Sequence, residues 1–283
     1  MTWKRRLLVF ASSLLLAVAP GAARAESPVR TVRLYAIECG HMDVLDMGVF
    51  ADTGEYDGQS GPLAVTCYLI RHPMGTLLWD TGLSDKLAEN KDGGGVGPFK
   101  LSVKTPLIDQ LKTISVTPAD VTYLAFSHFH FDHTGNANAF AASTWIVNKA
   151  ELAWAESTPT PFGVDPSAWS AVKTATTRLI DGDHDVFGDG SVRILRAPGH
   201  TPGHAVLAVR LKKSGVVILS GDLYHLEANR KFKRMPVFNT ERADTLASMD
   251  RVERIVKNTK ARFIVQHDVK DVAALPKLPA YLE

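Results

Sequence analysis

The stretch His128-Phe129-His130-Phe131-Asp132-His133 follows an apolar run that predicts a β-strand. Four of its six side chains are of types that bind metal ions. On an extended backbone alternate side chains share a face, so His128 and His130 are expected to point the same way. Asp132 would continue that row, and His133 would turn to the other side. One short segment could then serve two adjacent metal ions, and imidazole with carboxylate suits zinc and similar cations.

Three more candidate ligands lie downstream, and each ends a strand-like run, where α/β folds commonly gather their sites. The predicted set is His128, His130 and His200 for one ion, Asp132, His133 and His267 for a second, and Asp222 bridging both. Such a set leaves room for water and substrate, as catalytic zinc requires. Two ions close together lower the pKa of a bridging water and hold a carbonyl oxygen.

The N-terminal segment predicts export. Lys4, Arg5 and Arg6 precede an apolar run, and Ala23-Arg24-Ala25 is a small-x-small cleavage pattern. This is typical of a secretory signal peptide at residues 1–25, with an uncleaved membrane anchor as the alternative. The run is short for a transmembrane helix. We expect a periplasmic or secreted protein, free of the membrane after cleavage.

Net charge gives no support to a nucleic-acid partner. The predicted signal contains four of the 32 basic residues and no acid, so 28 basic and 30 acidic residues remain. The two cysteines, Cys39 and Cys67, are not in a metal-binding spacing. They could form one disulfide or be two buried small residues, and the second reading is slightly favoured.

Strand-like and helix-like runs alternate through the rest of the chain, which favours one α/β layered domain over residues 26–283. The clearest helix is predicted from Asn239 to Lys257, capped by Asn239 or Thr240. Two stretches rich in glycine or proline, residues 93–98 and 158–161, predict loops.

The ligand pattern resembles that of the metallo-β-lactamase superfamily. The resemblance rests on His-x-His-x-Asp-His, a later Gly-His, a Gly-Asp and a last His, and it covers nearly the whole chain after residue 25. It implies a four-layer αβ/βα sandwich with the metals at one edge, between two sheets. The stretch Leu78-Trp79-Asp80-Thr81-Gly82 looks like the superfamily's early Asp-Thr-Gly element, which implies that Asp80 supports a ligand.

Within the superfamily the chain is most similar to N-acyl-homoserine lactone lactonases. The similarity lies in residues 127–136, 199–204 and 239–242, and in the N-terminal stretches 34–41 and 62–69. It implies a hydrolase with two Zn²⁺, or other divalent ions, whose bridging hydroxide attacks the carbonyl of an acyl lactone. Asp132, Asp222 and His225 are the expected catalytic residues.

His225 stands where many of these lactonases have a tyrosine, three residues after the bridging aspartate. Tyr224 is one residue earlier, and either side chain could donate a hydrogen bond to a developing oxyanion. We choose His225 by register. The acyl chain is expected against apolar side chains, with Phe50, Phe99, Phe162 and Trp169 as candidates.

Several alternatives stay open at this point. A hydrolase of the same fold could act on β-lactams, or on thioesters as glyoxalase II does. A diiron redox protein is less favoured, because it would generally have a carboxylate where this chain has His130. A metal-free binding protein would have no need of seven ligands. A homodimer is compatible with the sequence.

Overall fold

The computed structural model of the chain describes Met1, residues 29–90 and residues 92–283. Apart from Met1, the predicted signal peptide and its cleavage site before Glu26 lie outside the described residues. Within the described ranges, no helix has both the length and the apolar character needed to cross a membrane.

The first sheet has eight strands, and all of them come from residues 33–180. Their bounds are β1 Arg33–Val44, β2 Gly61–His72, β3 Gly75–Trp79, β4 Gly94–Val96, β5 Phe99–Ser102, β6 Tyr123–Ala125, β7 Thr144–Asn148 and β8 Thr177–Ile180. Their order across the sheet is β4-β5-β1-β2-β3-β6-β7-β8. The pairs from β4 to β3 are antiparallel, and those from β3 to β8 are parallel.

The second sheet has five strands, all from residues 184–264. These are β9 His184–Asp185, β10 Val192–Arg196, β11 Ala205–Leu211, β12 Gly215–Leu219 and β13 Arg262–Ile264, in the order β13-β12-β11-β10-β9. Only β12 and β13 pair in parallel. The helices are α1 Leu107–Thr113, α2 Phe131–Thr134, α3 Lys149–Ala155, α4 Glu227–Phe232, α5 Arg242–Thr259 and α6 Val269–Ala273.

Three apolar cores separate four layers. Alternate side chains of a strand point to opposite faces, so each sheet supplies two cores. Leu78 of β3 packs outward in the core that contains Leu107 and Leu111 of α1, whereas its neighbour Trp79 packs inward toward the second sheet. On the far side of the second sheet, Ile218 packs in the core that contains Met249 of α5. The expected αβ/βα sandwich is confirmed.

Two local predictions differ from the structure. The glycine-rich stretch is not only a loop, because Gly94–Val96 forms β4; its backbone bonds to β5 without needing side-chain contacts. The last long helix begins at Arg242, later than predicted, and Glu241 caps it. The backbone N–H groups of Thr240 and Glu241 donate instead to the carbonyls of His200 and Gly199, which keeps this segment out of the helix.

Cys39 of β1 and Cys67 of β2 are joined by a disulfide with a Cα–Cα distance of 5.8 Å. The slight preference for two unlinked buried residues is therefore wrong. The bridge lies directly under the turn at Gly82, where a Cβ would come within 2.2 Å of Cys39 Cβ. The disulfide thus links β1 to β2 beneath the segment that contains Asp80 and Thr81.

Candidate metal centre

The His128–His133 segment leaves the end of β6 and changes conformation half-way. His130 is extended, with φ −70° and ψ 157°, and α2 begins at the next residue. The predicted alternation therefore holds for His128 and His130 and ends there. Asp132 and His133 lie on one helical turn instead of continuing an extended row. Because of this bend, one segment can supply ligands to two neighbouring metal positions.

The seven predicted ligands form two adjoining buried groups. The first ligand group is His128, His130, His200 and Asp222, and the second ligand group is Asp132, His133 and His267. Within each group, the ligand atoms lie within 4.8 Å of one another. All seven residues that the sequence predicts as ligands thus lie together in the structure. Their arrangement is that of a dinuclear metal site.

The two carboxylate oxygens of Asp222 face different groups. Oδ1 lies 2.9 Å from Nε2 of His267 and 3.1 Å from Nε2 of His133. Oδ2 lies 3.3 Å from Nε2 of His200 and 3.5 Å from Nε2 of His128. One carboxylate therefore spans both groups, which is the geometry expected of a bridging ligand.

Burial keeps the imidazoles of the first ligand group neutral. It lowers the pKa of His130 to about 4, and it lowers the pKa values of His128 and His200 well below the usual range. Neighbouring imidazoles lower these pKa values further, while Asp222, and for His130 also Asp132, opposes the shift. A neutral imidazole nitrogen has a free lone pair, which is the form that binds a metal ion.

The second ligand group attracts positive charge. Burial lowers the pKa of His133, but the carboxylates of Asp222, Asp132 and Asp80 outweigh it and hold that pKa well above its usual range. Burial also lowers the pKa of His267, but the carboxylates of Asp222 and Asp132 outweigh it and raise that pKa. For Asp222, burial raises the pKa, and the surrounding imidazoles bring it well below its usual range. The buried carboxylates of Asp132 and Asp222, which face imidazoles, fit a pair of divalent cations that would supply positive charge.

Asp80 supports the second ligand group from behind. Its Oδ2 lies 3.0 Å from Nδ1 of His133 and also accepts from the side chains of Ser127 and Gln266 at 3.0 Å. Its Oδ1 accepts from the backbone N–H of Ser127 at 2.7 Å. An acceptor on Nδ1 fixes the ring of His133 with Nε2 free toward the centre. The position implied for Asp80 by the family resemblance is the one observed.

His204 belongs to neither group. Its Nδ1 donates to the carbonyl of Ala197 at 2.8 Å, and its Nε2 accepts from the backbone N–H of Asp222 at 2.9 Å. Since one nitrogen must donate and the other accept, the ring is neutral, and burial lowers its pKa to about 4. His204 therefore connects the turn after β10 to Asp222.

The two candidates for a substrate contact are placed very differently. His225 is buried in the site, with Nε2 3.0 Å from Oδ2 of Asp222 and with Nδ1 lacking a hydrogen-bond partner. The hydroxyl of Tyr224 points away and contacts Glu253 of α5 at 3.2 Å. The structure thus puts the side chain of His225, and not that of Tyr224, among the ligands.

Aromatic side chains close the space in front of the ligands. The cavity is lined by Met42, Phe50, Phe99, Phe131, Phe162, Gly163 and Phe238, together with His130, Asp132, Asp222, His225 and His267. Its volume of about 20 Å³ holds about one water molecule. Three of the predicted aromatic residues line this cavity, but Trp169 does not; it packs against Phe129 in the outer core.

Sequence reasoning missed several residues that fix the site. Gln266 accepts from the backbone N–H of Gly221 at 2.8 Å and donates to Asp80. Glu151 is buried between two ligand-bearing segments. Gln266 could have been suspected from its place beside His267. Glu151 carried no such signal, because a glutamate in the first turn of a helix is usually exposed.

The sequence profile of the Metallo-beta-lactamase superfamily matches residues 60–267. The N-acyl homoserine lactonase AttM of Azorhizobium caulinodans is 28% identical over 263 residues, which are 89% of this chain and 99% of that protein. A solved N-acyl homoserine lactone hydrolase, with N-hexanoyl-L-homoserine at its catalytic metal centre, superposes with a TM-score of 0.78 at 26% identity. That match covers 90% of this chain and all of the other.

A more distant solved structure is AidC, a dizinc quorum-quenching lactonase in complex with a product, N-hexanoyl-L-homoserine. It is 17% identical, with a TM-score of 0.66, and the match covers 90% of this chain and 95% of that one. At this identity the likeness concerns the fold alone.

Proposed function

This chain belongs to the metallo-beta-lactamase superfamily, and on that premise we propose that it is a dinuclear zinc hydrolase that opens the lactone ring of N-acyl-homoserine lactones. The observation that carries the proposal is the pair of ligand groups spanned by Asp222. The similarity to the lactonase AttM, which extends over most of both chains, supports the substrate class.

Zinc is the proposed metal. The first ligand group offers three neutral imidazoles and one carboxylate oxygen, and the second offers two imidazoles and carboxylate oxygens. This donor chemistry suits zinc, and it leaves a place for substrate. When bound, the two ions would supply polarisation of the lactone carbonyl and a water of lowered pKa.

The chain's own residues would orient the substrate. His225 presents an unpartnered Nδ1 beside Asp222, at a place where a polar group of the lactone could form a hydrogen bond. Phe50, Phe99 and Phe162 offer an apolar wall for the acyl chain.

One panel of substrates on the purified protein tests the proposal. We expect hydrolysis of acyl-homoserine lactones, with about two zinc ions per chain in the same sample, and little hydrolysis of a cephalosporin or a glutathione thioester. Faster hydrolysis of either competitor than of every lactone would replace the proposed substrate class. A fully active sample with one ion per chain would exclude the dinuclear centre.

We also propose that the protein is exported after cleavage near Glu26. The support is the basic, apolar and Ala-x-Ala order of residues 1–25. The Cys39–Cys67 disulfide is in keeping with an oxidising compartment. Mass spectrometry of the protein from periplasmic and culture fractions should give a mature N-terminus at or near Glu26. A chain that retains Met1 in the cytoplasmic fraction would contradict the proposal.

A further inference from the structure

A buried carboxylate outside both ligand groups lies between the two segments that supply the first group. Glu151 is in the first turn of α3, which Asn148 caps by accepting from two backbone N–H groups. The side chain of Glu151 is only 2% exposed. Its Oε1 accepts from the backbone N–H of Phe129 at 2.9 Å, and its Oε2 accepts from that of Gly203 at 2.8 Å.

Both residues that donate to the carboxylate of Glu151 are close in the chain to predicted ligands. Phe129 lies between His128 and His130 in the chain, and Gly203 lies three residues after His200. All three histidines of the first ligand group are therefore attached to backbone that one side chain holds. Since the two segments leave different sheets, Glu151 fixes the distance between them.

The turn at Gly203 rests directly on the start of α3. A Cβ at Gly203 would lie 2.5 Å from both the Cβ and the backbone nitrogen of Glu151, and 2.6 Å from Oδ1 of Asn148. Contacts this short leave no room for any other residue. The close approach brings the N–H of Gly203 within reach of the carboxylate, so the packing and the hydrogen bond require each other.

Burying a carboxylate is costly, and burial raises the pKa of Glu151 to about 7. The two backbone N–H groups that face Glu151 donate to different oxygens of its side chain. A carboxylate provides both, whereas an amide of the same shape would provide one oxygen and would turn its NH₂ group toward the second donor. A glutamate therefore satisfies these two backbone donors better than a glutamine would.

We propose that Glu151 is a positioning residue that holds the His128–His130 segment and the His200 turn at the spacing that the first ligand group needs. It acts on the ligands through the backbone of Phe129 and Gly203. The inference rests on the part of the proposed function that assigns a metal ion to this group.

Glu151→Gln in the full chain tests the proposal through metal affinity. Zinc is titrated into the metal-depleted protein against a chromophoric chelator, and two successive affinities are extracted. We expect one affinity to fall by about 10–100-fold, as for other groups that orient ligands, and the other to change much less. Cobalt(II) loading provides a second readout, because its visible spectrum reports ligand geometry and should change in the variant.

Two control variants separate positioning from a general loss of stability. Glu156→Gln changes an exposed glutamate at the end of the same helix and should leave both affinities unchanged. Ser143→Ala removes a buried hydrogen bond from Ser143 to the carbonyl of Val121, at 2.7 Å and away from both turns. It should lower the unfolding midpoint without lowering zinc affinity. If Glu151→Gln does not fold, Glu151→Asp, whose shorter side chain can reach only one donor, takes its place.

The proposal would be overturned if the Glu151 variant kept both zinc affinities and the cobalt(II) spectrum of the wild type. An equal loss of affinity in Ser143→Ala would overturn it as well. Lactone hydrolysis by the wild type is measured separately. Two tightly bound ions without lactonase activity would refute the proposed substrate and leave the metal titration of Glu151→Gln decisive. A wild-type protein that binds no zinc would refute both.

Discussion

Nε2 of His204 accepts a hydrogen bond from the backbone N–H of Asp222 at 2.9 Å, while its Nδ1 donates to Ala197. The bridging aspartate is therefore held at both ends, with its carboxylate among the ligands and its backbone on a neutral histidine. Because the ring must stay neutral to accept this bond, the contact depends on pH.

His204→Gln should make the metal-depleted protein less sensitive to acid. The pKa of His204 is lowered from 6.5 to about 4 in the folded state, so the unfolded chain takes up a proton first as pH falls. The wild type should lose up to about 3 kcal/mol of unfolding free energy from this group between pH 6.5 and pH 4. Glutamine can make both hydrogen bonds without titrating. Urea unfolding of both proteins at pH 7.5 and pH 4.5 measures how much unfolding free energy each loses in acid. Equal losses in the two proteins would contradict the prediction.

Asp222→Asn should remove metal and catalysis together. An amide is neutral and has one acceptor oxygen, so it cannot serve two cations as the carboxylate does. We expect less than two ions per chain and a fall in kcat larger than the ~10–100-fold typical of outer supporting groups. Elemental analysis and lactone kinetics check this, with Asp109→Asn, an exposed site, as the control. A metal-replete variant with the wild-type rate would show that Asp222 is not the bridge.

His225→Phe and Tyr224→Phe form a matched pair. Phenylalanine at position 225 keeps a ring against Phe50, whose centroid lies 4.6 Å from that of His225, but loses both nitrogens. We expect kcat to fall about 100–1,000-fold, the range for a lost hydrogen bond to the developing oxyanion, with two ions retained. Tyr224→Phe should change kcat little, because its hydroxyl contacts Glu253 on α5. The reverse order of effects would assign the substrate contact to Tyr224.

Removing the disulfide should lower stability and leave the ligands in place. The bridge closes a loop with a sequence separation of 28 residues, for which chain entropy predicts about 3–4 kcal/mol. We expect Cys39→Ala with Cys67→Ala to lose this much in urea unfolding, and the wild type to lose a similar amount in dithiothreitol. Two reactive thiols in unfolded, unreduced wild type would mean that the bridge does not form.

Much of the site could be predicted because its ligands have a sequence pattern that few other structures require. His128, His130, Asp132 and His133 are close in the chain, and the three remote ligands each end a strand-like run. Their grouping follows from the strand ends, which the fold gathers along one edge. The bend at Phe131 was not predictable by alternation, because the helical turn of α2 begins there without a break in the pattern.

The features that the sequence does not predict depend on contacts between segments that are distant in the chain. Gly94–Val96 becomes a strand only because β5 lies alongside it. Thr240 is drawn away from the helix by the carbonyl of His200. Its aromatic side chain makes Trp169 a candidate for contact with the acyl chain, yet it packs in the core against Phe129. Composition and periodicity contain no information about such partners.

The order of the two sheets along the chain has a consequence for folding kinetics. Every strand of the first sheet precedes residue 181 and every strand of the second follows residue 183, while each ligand group draws on both parts. Neither half alone has a complete ligand group, so high-affinity metal binding must await their docking. Metal then stabilises the docked state by mass action. The rate of zinc uptake by a refolding chain would therefore measure the docking of its two halves.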